Sequence, residues 1–231
     1  MSAPQDVPPP AAPSPLVRRV LADDVFDALT ALVMDHVVEP GARMSIDGLA
    51  LRLGVSPTPV REALARLEAL GLARKEPLRG YRATPLLTRS ELEDLFEFRL
   101  VLEPWAAGRA ARAVRAGRVD PETLLRLVAE MTEAPPTGYE RYRALAEHDQ
   151  RFHDAVLVLA DNEHARHAFA RTHCHLHIFR LYYVQRVGSS ALAEHAALAD
   201  AVAAGDVRAA ERAMRAHLVA SRDRLRPATA G

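Results

Sequence analysis

Apolar residues recur at helical spacing over residues 17–38, with Val25, Leu29, Leu32 and Val33 on one stripe, until Pro40 and Gly41 end the run. A first helix is predicted there. Ile46, Leu49, Ala50 and Leu53 predict a short second helix closed by Gly54. Ser56 followed by Pro57 reads as an N-cap with proline in the first turn, opening a third helix from about 57 to 70 that stops at Gly71. Leu72–Lys75 and Tyr81–Thr84 are short extended candidates flanking the turn-rich Glu76-Pro77-Leu78-Arg79-Gly80, so a β-hairpin follows. The character changes at Thr88. Thr88-Arg89-Ser90-Glu91 is a capping box, and the rest is alanine- and leucine-rich with helical period. Breaks at Gly117–Pro121, Pro135–Gly138, Asp161-Asn162, Gly188–Ser190 and Gly205-Asp206 divide it into about six helices.

The predicted fold class is therefore mainly α. Three helices plus a β-hairpin, with a tight turn at Leu53-Gly54-Val55-Ser56, form a winged helix-turn-helix over residues 16–86; an all-α bundle fills residues 88–226. Residues 1–15, MSAPQDVPPPAAPSP, read as a disordered proline-rich arm, with neither the positive start nor the apolar stretch of a signal peptide.

Composition narrows the function. No apolar run approaches the roughly 18 residues of a membrane span, so a cytoplasmic protein with no membrane partner is expected. The single cysteine, Cys174, excludes an internal disulfide framework and a multi-thiolate metal site. Zero formal net charge argues against indiscriminate polyanion binding, but DNA binding needs only a local positive face. Residues 51–85 supply one, setting Arg52, Arg61, Arg66, Arg74, Lys75, Arg79 and Arg82 against Glu62, Glu68 and Glu76. On the third helix Val60, Leu64 and Leu67 fall on one side. Thr58, Arg61 and Ala65 fall on the other, free to enter a major groove. Arginine can bond guanine bidentately, while Ser56 and Thr58 near the helix N-terminus suit a phosphate. The alternative pairs Arg61 with Glu62 or Glu68 on a solvated helix.

The string VSPTPVREALARLEALGL at 55–72, with PGARMSIDGLALRLG before it and RGYRATP after it, resembles the signature of the GntR family of bacterial regulators. The resemblance implies DNA contacts by Ser56, Thr58 and Arg61, and by Arg79 and Gly80 at the wing. It also departs from the family. Many members carry arginine where Pro57 stands, and some lack one at the position of Asp47, so base readout here rests on fewer arginines.

Asp149 and His153, four apart in HDQRFHDAV, would point the same way on a helix, and His195 and His217 lie on two later ones. Three imidazoles and a carboxylate suit a divalent ion such as Zn²⁺, Mn²⁺ or Ni²⁺; by spacing alone, a surface contact is the better explanation of the pair. LFEFRLVLEPWAA at 95–107, DQRFH at 149–153 and EHAALADAVAAGDVRAAERAMRAHL at 194–218 together resemble the FCD ligand-binding domain of FadR-like members of the same family. That resemblance implies metal ligation by Asp149, His153, His195 and His217. It also places Arg99 near the cavity, where it could hold an effector carboxylate, although Glu103 four residues on could equally pair with it. His173, His175 and His177 do not share a helical face, so no second metal site is expected there, though one could reach the pocket.

These readings imply a non-enzymatic regulator of transcription. The expected assembly is a homodimer on palindromic operator DNA, controlled by a small carboxylate effector at a metal site. A regulator sensing the metal itself remains an alternative. So does a metal-dependent hydrolase, which lacks an HExxH-like motif and would need Glu147 or His148 as base.

Overall fold

A computed structural model describes residues 15–130, 138–185 and 189–229. The proline-rich arm lies outside them except for Pro15, which begins the first helix. The chain divides into two compact units between Thr84 and Pro85.

In the first unit, α1 spans Pro15–Met34, α2 Ile46–Leu53 and α3 Pro57–Ala69. α1 stops short of the predicted residue 38, because His36 adopts a left-handed φ of 54° and Val38 N–H turns back to the Leu32 carbonyl at 2.9 Å. Val25, Leu29 and Val33 of α1 are buried with Val60, Ala63, Leu64 and Leu67 of α3. α2 is capped at both ends. The Ser45 hydroxyl accepts from Gly48 N–H at 3.2 Å, and Gly54 closes the helix at φ 66°, a backbone conformation that favours glycine. Ser56 takes the N-cap position of α3, but its side chain makes no capping bond. The expected hairpin forms as β2 (Ala73–Glu76) and β3 (Gly80–Ala83). It gains a partner the apolar pattern did not mark: β1, Arg43–Met44, pairs antiparallel with β3 in a sheet of order β1-β3-β2. Two residues are too few to show alternation. Pairing is supported by Arg82, which donates to the Gly41 carbonyl at 2.9 Å and to Glu76 at 2.9 Å.

The second unit is helical: α4 (Arg89–Arg115), α5 (Glu122–Glu130), α6 (Gly138–Leu159), α7 (Glu163–Ala170), α8 (Cys174–Gln185), α9 (Ser189–Ala203) and α10 (Val207–Leu225). α4 begins with the expected capping box. Thr88 Oγ1 accepts from Glu91 N–H at 3.3 Å, and the Glu91 carboxylate accepts from Thr88 N–H at 2.8 Å. About six helices become seven among the described residues. The additional break is at Thr172-His173, where His173 adopts φ 46° without a glycine or proline to announce it. α4 packs along α10, α6 and α9 pack against α4, and α5 lies against α6 and α9. Of the predicted breaks at Pro135–Gly138 and Gly188–Ser190, residues 135–137 and 188 lie outside the described residues, while Gly138 and Ser189 begin α6 and α9.

Leu64 has no exposed surface and anchors α3 to α1. Replacing it by alanine is expected to destabilise the first unit by about 2–5 kcal/mol through lost transfer energy and a residual cavity, as measured by urea denaturation.

Candidate metal centre and DNA-facing surface

α6, α9 and α10 bring one carboxylate and three imidazoles together. One ligand atom each from Asp149, His153, His195 and His217 lies within 4.8 Å of all the others. The three histidines are buried and Asp149 is nearly so. Asp149 and His153 meet because they are one helical turn apart on α6.

What stands behind these side chains determines their chemistry. His153 Nδ1 makes a short contact with Glu103 Oε2, and Glu103 is held in turn by Arg99 Nε at 2.5 Å. His217 Nδ1 lies 2.7 Å from Glu194 Oε2, and Glu194 accepts from Arg224 at 2.6 and 2.9 Å. A carboxylate accepts, so each imidazole must present Nδ1–H to it, and each Nε2 is left as a lone pair. These two Nε2 atoms are 3.2 Å apart. Facing lone pairs at that distance repel unless a cation lies between them. Two nitrogens bound to one ion at about 2.0–2.1 Å would themselves stand roughly 3–3.4 Å apart. His195 fits the same pattern. Its Nδ1 meets His148 Nε2 at 3.1 Å, while its buried Nε2 faces Asp149 Oδ1 at 3.4 Å without hydrogen-bond geometry. Phe152 stacks on the His195 ring with centroids 4.0 Å apart and fixes its plane. The donor set therefore fits a divalent ion.

Electrostatics agree with neutral His148, His153 and His195 and with ionised carboxylates. Burial pushes His153 down to about 3 against the opposing pull of Glu103 and Asp149, and burial together with His195 pushes His148 down to about 4. Burial raises Asp149, but His153 and its other histidine neighbours outweigh this and hold it well below the usual range. Glu194, raised by burial, is brought down to about 2 by its bonds to His217 and Arg224.

Arg99 is buried and its Nε is committed to Glu103, so the intrahelical ion pair forms. Its Nη2 lies 3.4 Å from both ring nitrogens of His153, and its guanidinium sits over Phe96 and Phe169. Of the histidine cluster, His175 alone reaches the centre, with Nδ1 3.3 Å from Asp149 Oδ2. Sequence reasoning singled out neither Glu194 nor Arg224, which stand 30 residues apart with no local spacing to link them.

In the first unit Ser56, Thr58, Arg61, Arg79 and Gly80 are all exposed, and Ala65 shares the open side of α3. Several cations nearby are neutralised: Arg66 by Asp23 at 2.7 Å, and Arg74 and Arg82 by Glu76 at 3.3 and 2.9 Å. Arg52, Arg61, Lys75 and Arg79 make no ion pair among the described residues, so the free positive charge gathers on α2, α3 and the wing. Arg61 pairs with neither Glu62 nor Glu68. Glu68 accepts instead from the Lys75 backbone N–H at 3.1 Å.

Comparison with known proteins places this arrangement in a family. Residues 21–82 match the model of bacterial regulatory proteins of the gntR family, and residues 94–220 match the FCD domain. A protein of Escherichia coli K12 named for regulation of the L-lactate dehydrogenase operon is 30% identical, over 88% of this chain and 85% of its own. One of Paenarthrobacter nicotinovorans, named for repression of a D-xylose utilization operon, is 28% identical over 89% and 88%. Among solved structures, a GntR regulator from Rhodococcus sp. RHA1 superposes with a TM-score of 0.69 at 23% identity, covering 89% of this chain and 97% of that one, which supports the fold.

The protein is a DNA-binding regulator of transcription. It belongs to the GntR family and carries an FCD domain. The family is one of regulators and not of enzymes, which sets the hydrolase reading aside. No helix among the described residues is long and apolar enough to cross a membrane.

The burial of His148 and His153 has a consequence for stability. Unfolding returns both to an ordinary value of 6.5, so below pH 6.5 the unfolded chain binds protons that the folded one refuses. Their contribution is full above pH 6.5 and declines as the pH falls toward 4. The melting temperature of the chelated protein should fall across that window, and His148→Gln should flatten the slope. An unchanged slope in that variant would show that His148 takes no part.

Proposed function

We propose that the chain is a homodimeric repressor whose hold on a palindromic operator is set by a small carboxylate bound beside a divalent ion in the FCD domain. The observation that carries this reading is the 3.2 Å approach of the His153 and His217 Nε2 atoms, each turned inward by a carboxylate on its other nitrogen. Asp149 and His195 complete the donor set, and borderline nitrogen donors with one carboxylate favour Zn²⁺, Mn²⁺ or Ni²⁺. Such an ion supplies a positive centre on which an anion can settle.

Arg99 adds a second positive group. With Nε on Glu103, its Nη1 has no partner among the described residues and is free to meet the effector. A buried anion needs compensating charge, which ion and guanidinium supply together. The relative named for the L-lactate dehydrogenase operon is concerned with genes acting on a small carboxylate, and the D-xylose relative is named as a repressor; both accord with this reading. The effector must bind two dimer geometries unequally to regulate. Two-fold symmetry of the dimer calls for a palindromic site, read by Arg61 with Ser56 and Thr58 on the backbone and Arg79 and Gly80 at the wing.

The experiment is a thermal-shift screen of hydroxy, keto and sugar acids on metal-loaded and chelated protein, followed by operator binding. An acid should raise the melting temperature only with the ion present, and should change operator affinity. Equal stabilisation of the chelated protein or of Arg99→Ala would defeat the pocket chemistry. A response of operator affinity to the ion alone would favour a metal sensor.

Two further outcomes are expected. Metal analysis should find near one divalent ion per chain, lost in His217→Ala; wild type that neither carries nor takes up metal would remove the centre. Arg61→Ala should leave the fold intact and weaken specific operator binding by about 1–3 kcal/mol per half-site. Wild-type affinity in that variant, measured by fluorescence anisotropy, would show that Arg61 does not face the groove.

A further inference from the structure

Three of the four side chains at the centre have their outer atoms accounted for by Glu103, Glu194 and His148. Asp149 needs a partner as well. A carboxylate with both oxygens free can turn to grip an ion with one or both, so the number of positions left for an effector depends on what holds the second oxygen. His175 is the side chain at that oxygen, with Nδ1 3.3 Å from Asp149 Oδ2. It is 93% buried by its relative exposure of 7%, and neither of its ring nitrogens makes a regular hydrogen bond. A buried imidazole N–H needs an acceptor, and the Asp149 carboxylate is within reach of Nδ1. Its setting is rigid: Phe169 meets the ring edge-on at 5.5 Å between centroids and Phe179 stacks at 6.3 Å. Its ring centre is 5.7 Å from that of His153. It is not one of the four side chains whose ligand atoms converge, and it meets Asp149 at Oδ2, whereas His153 and His195 lie nearest Oδ1.

Resting on the metal reading above, we infer that His175 is a positioning residue for the centre: its Nδ1–H holds Asp149 Oδ2, so that only Oδ1 turns toward the ion. Oδ1 is already the oxygen nearest the ligand nitrogens, at 3.4 Å from His195 Nε2 and 3.7 Å from His153 Nε2. Asp149 then acts through one oxygen, and a position on the ion stays open for the effector. All four side chains of the set thereby gain an outer partner, Glu103 for His153, Glu194 for His217, His148 for His195 and His175 for Asp149.

The test uses cobalt as the probe in full-length protein. Wild type, His175→Phe and His175→Asn are titrated with Co²⁺, following the visible absorption of the bound ion. Phenylalanine suits the slot between Phe169 and Phe179 but removes both nitrogens, whereas the asparagine amide can place a donor near the Nδ1 position. Cobalt should bind about 10–100-fold more weakly to His175→Phe with an altered spectrum, and His175→Asn should recover most of the loss. Wild-type affinity and spectrum in His175→Phe would overturn the assignment, and so would equal losses in the two variants. Should His175→Phe fail to fold, the zinc-loaded wild type decides. Long-range proton–nitrogen NMR should find the His175 proton on Nδ1, and its absence there overturns the inference. Wild type that takes up no cobalt would bring down the metal reading itself, whereas tight uptake by wild type and His175→Phe alike would bring down the role of His175 alone.

Discussion

The second unit is organised around a repulsion. Two imidazole nitrogens, each with its lone pair turned inward, are held 3.2 Å apart by carboxylates that permit no other tautomer. Those carboxylates are buried or half-buried and would be costly to hold there without Arg99 and Arg224 behind them. Glu103 ties α4 to α6 through His153, and Arg224 ties α10 to α9 through Glu194. Ion pairs, tautomers and helix contacts thus form one chain of dependence whose inner end is a donor set suited to a cation.

The two units depend on different physics. The first unit is held by an apolar stripe and by caps at the helix ends, and the side chains proposed to meet DNA stand outside that core. This exposure suits groups that must exchange water for phosphate and base edges. In the FCD domain the histidines of the cluster are inside, and His153 and His217 are each oriented by a carboxylate that an arginine holds.

The legibility of these features in the sequence follows the same division. Helix limits at Gly54, Gly71, Thr88 and Gly205 were readable because glycine and capping side chains act locally. β1 was hidden because two residues carry no period, and the break at His173 because a non-glycine residue adopts the left-handed conformation there. Asp149 with His153 was visible from helical spacing, but His195 and His217 joined them only through likeness to a family. Geometry now brings the four together. Glu194, Arg224 and the contact of His175 with Asp149 depend on how distant helices pack, which no local pattern encodes. Arg99 carried two readings from sequence, and the structure places its ion pair with Glu103 while leaving one nitrogen unused.

The two Arg–Glu–His relays differ in their contact with water. The side chains of Arg99 and Glu103 are each 1% exposed, whereas Glu194 and Arg224 are 25% and 19% exposed. Solvent therefore reaches the outer pair and not the inner one, so dissolved salt weakens the hold of Arg224 on Glu194 well before it touches that of Arg99 on Glu103.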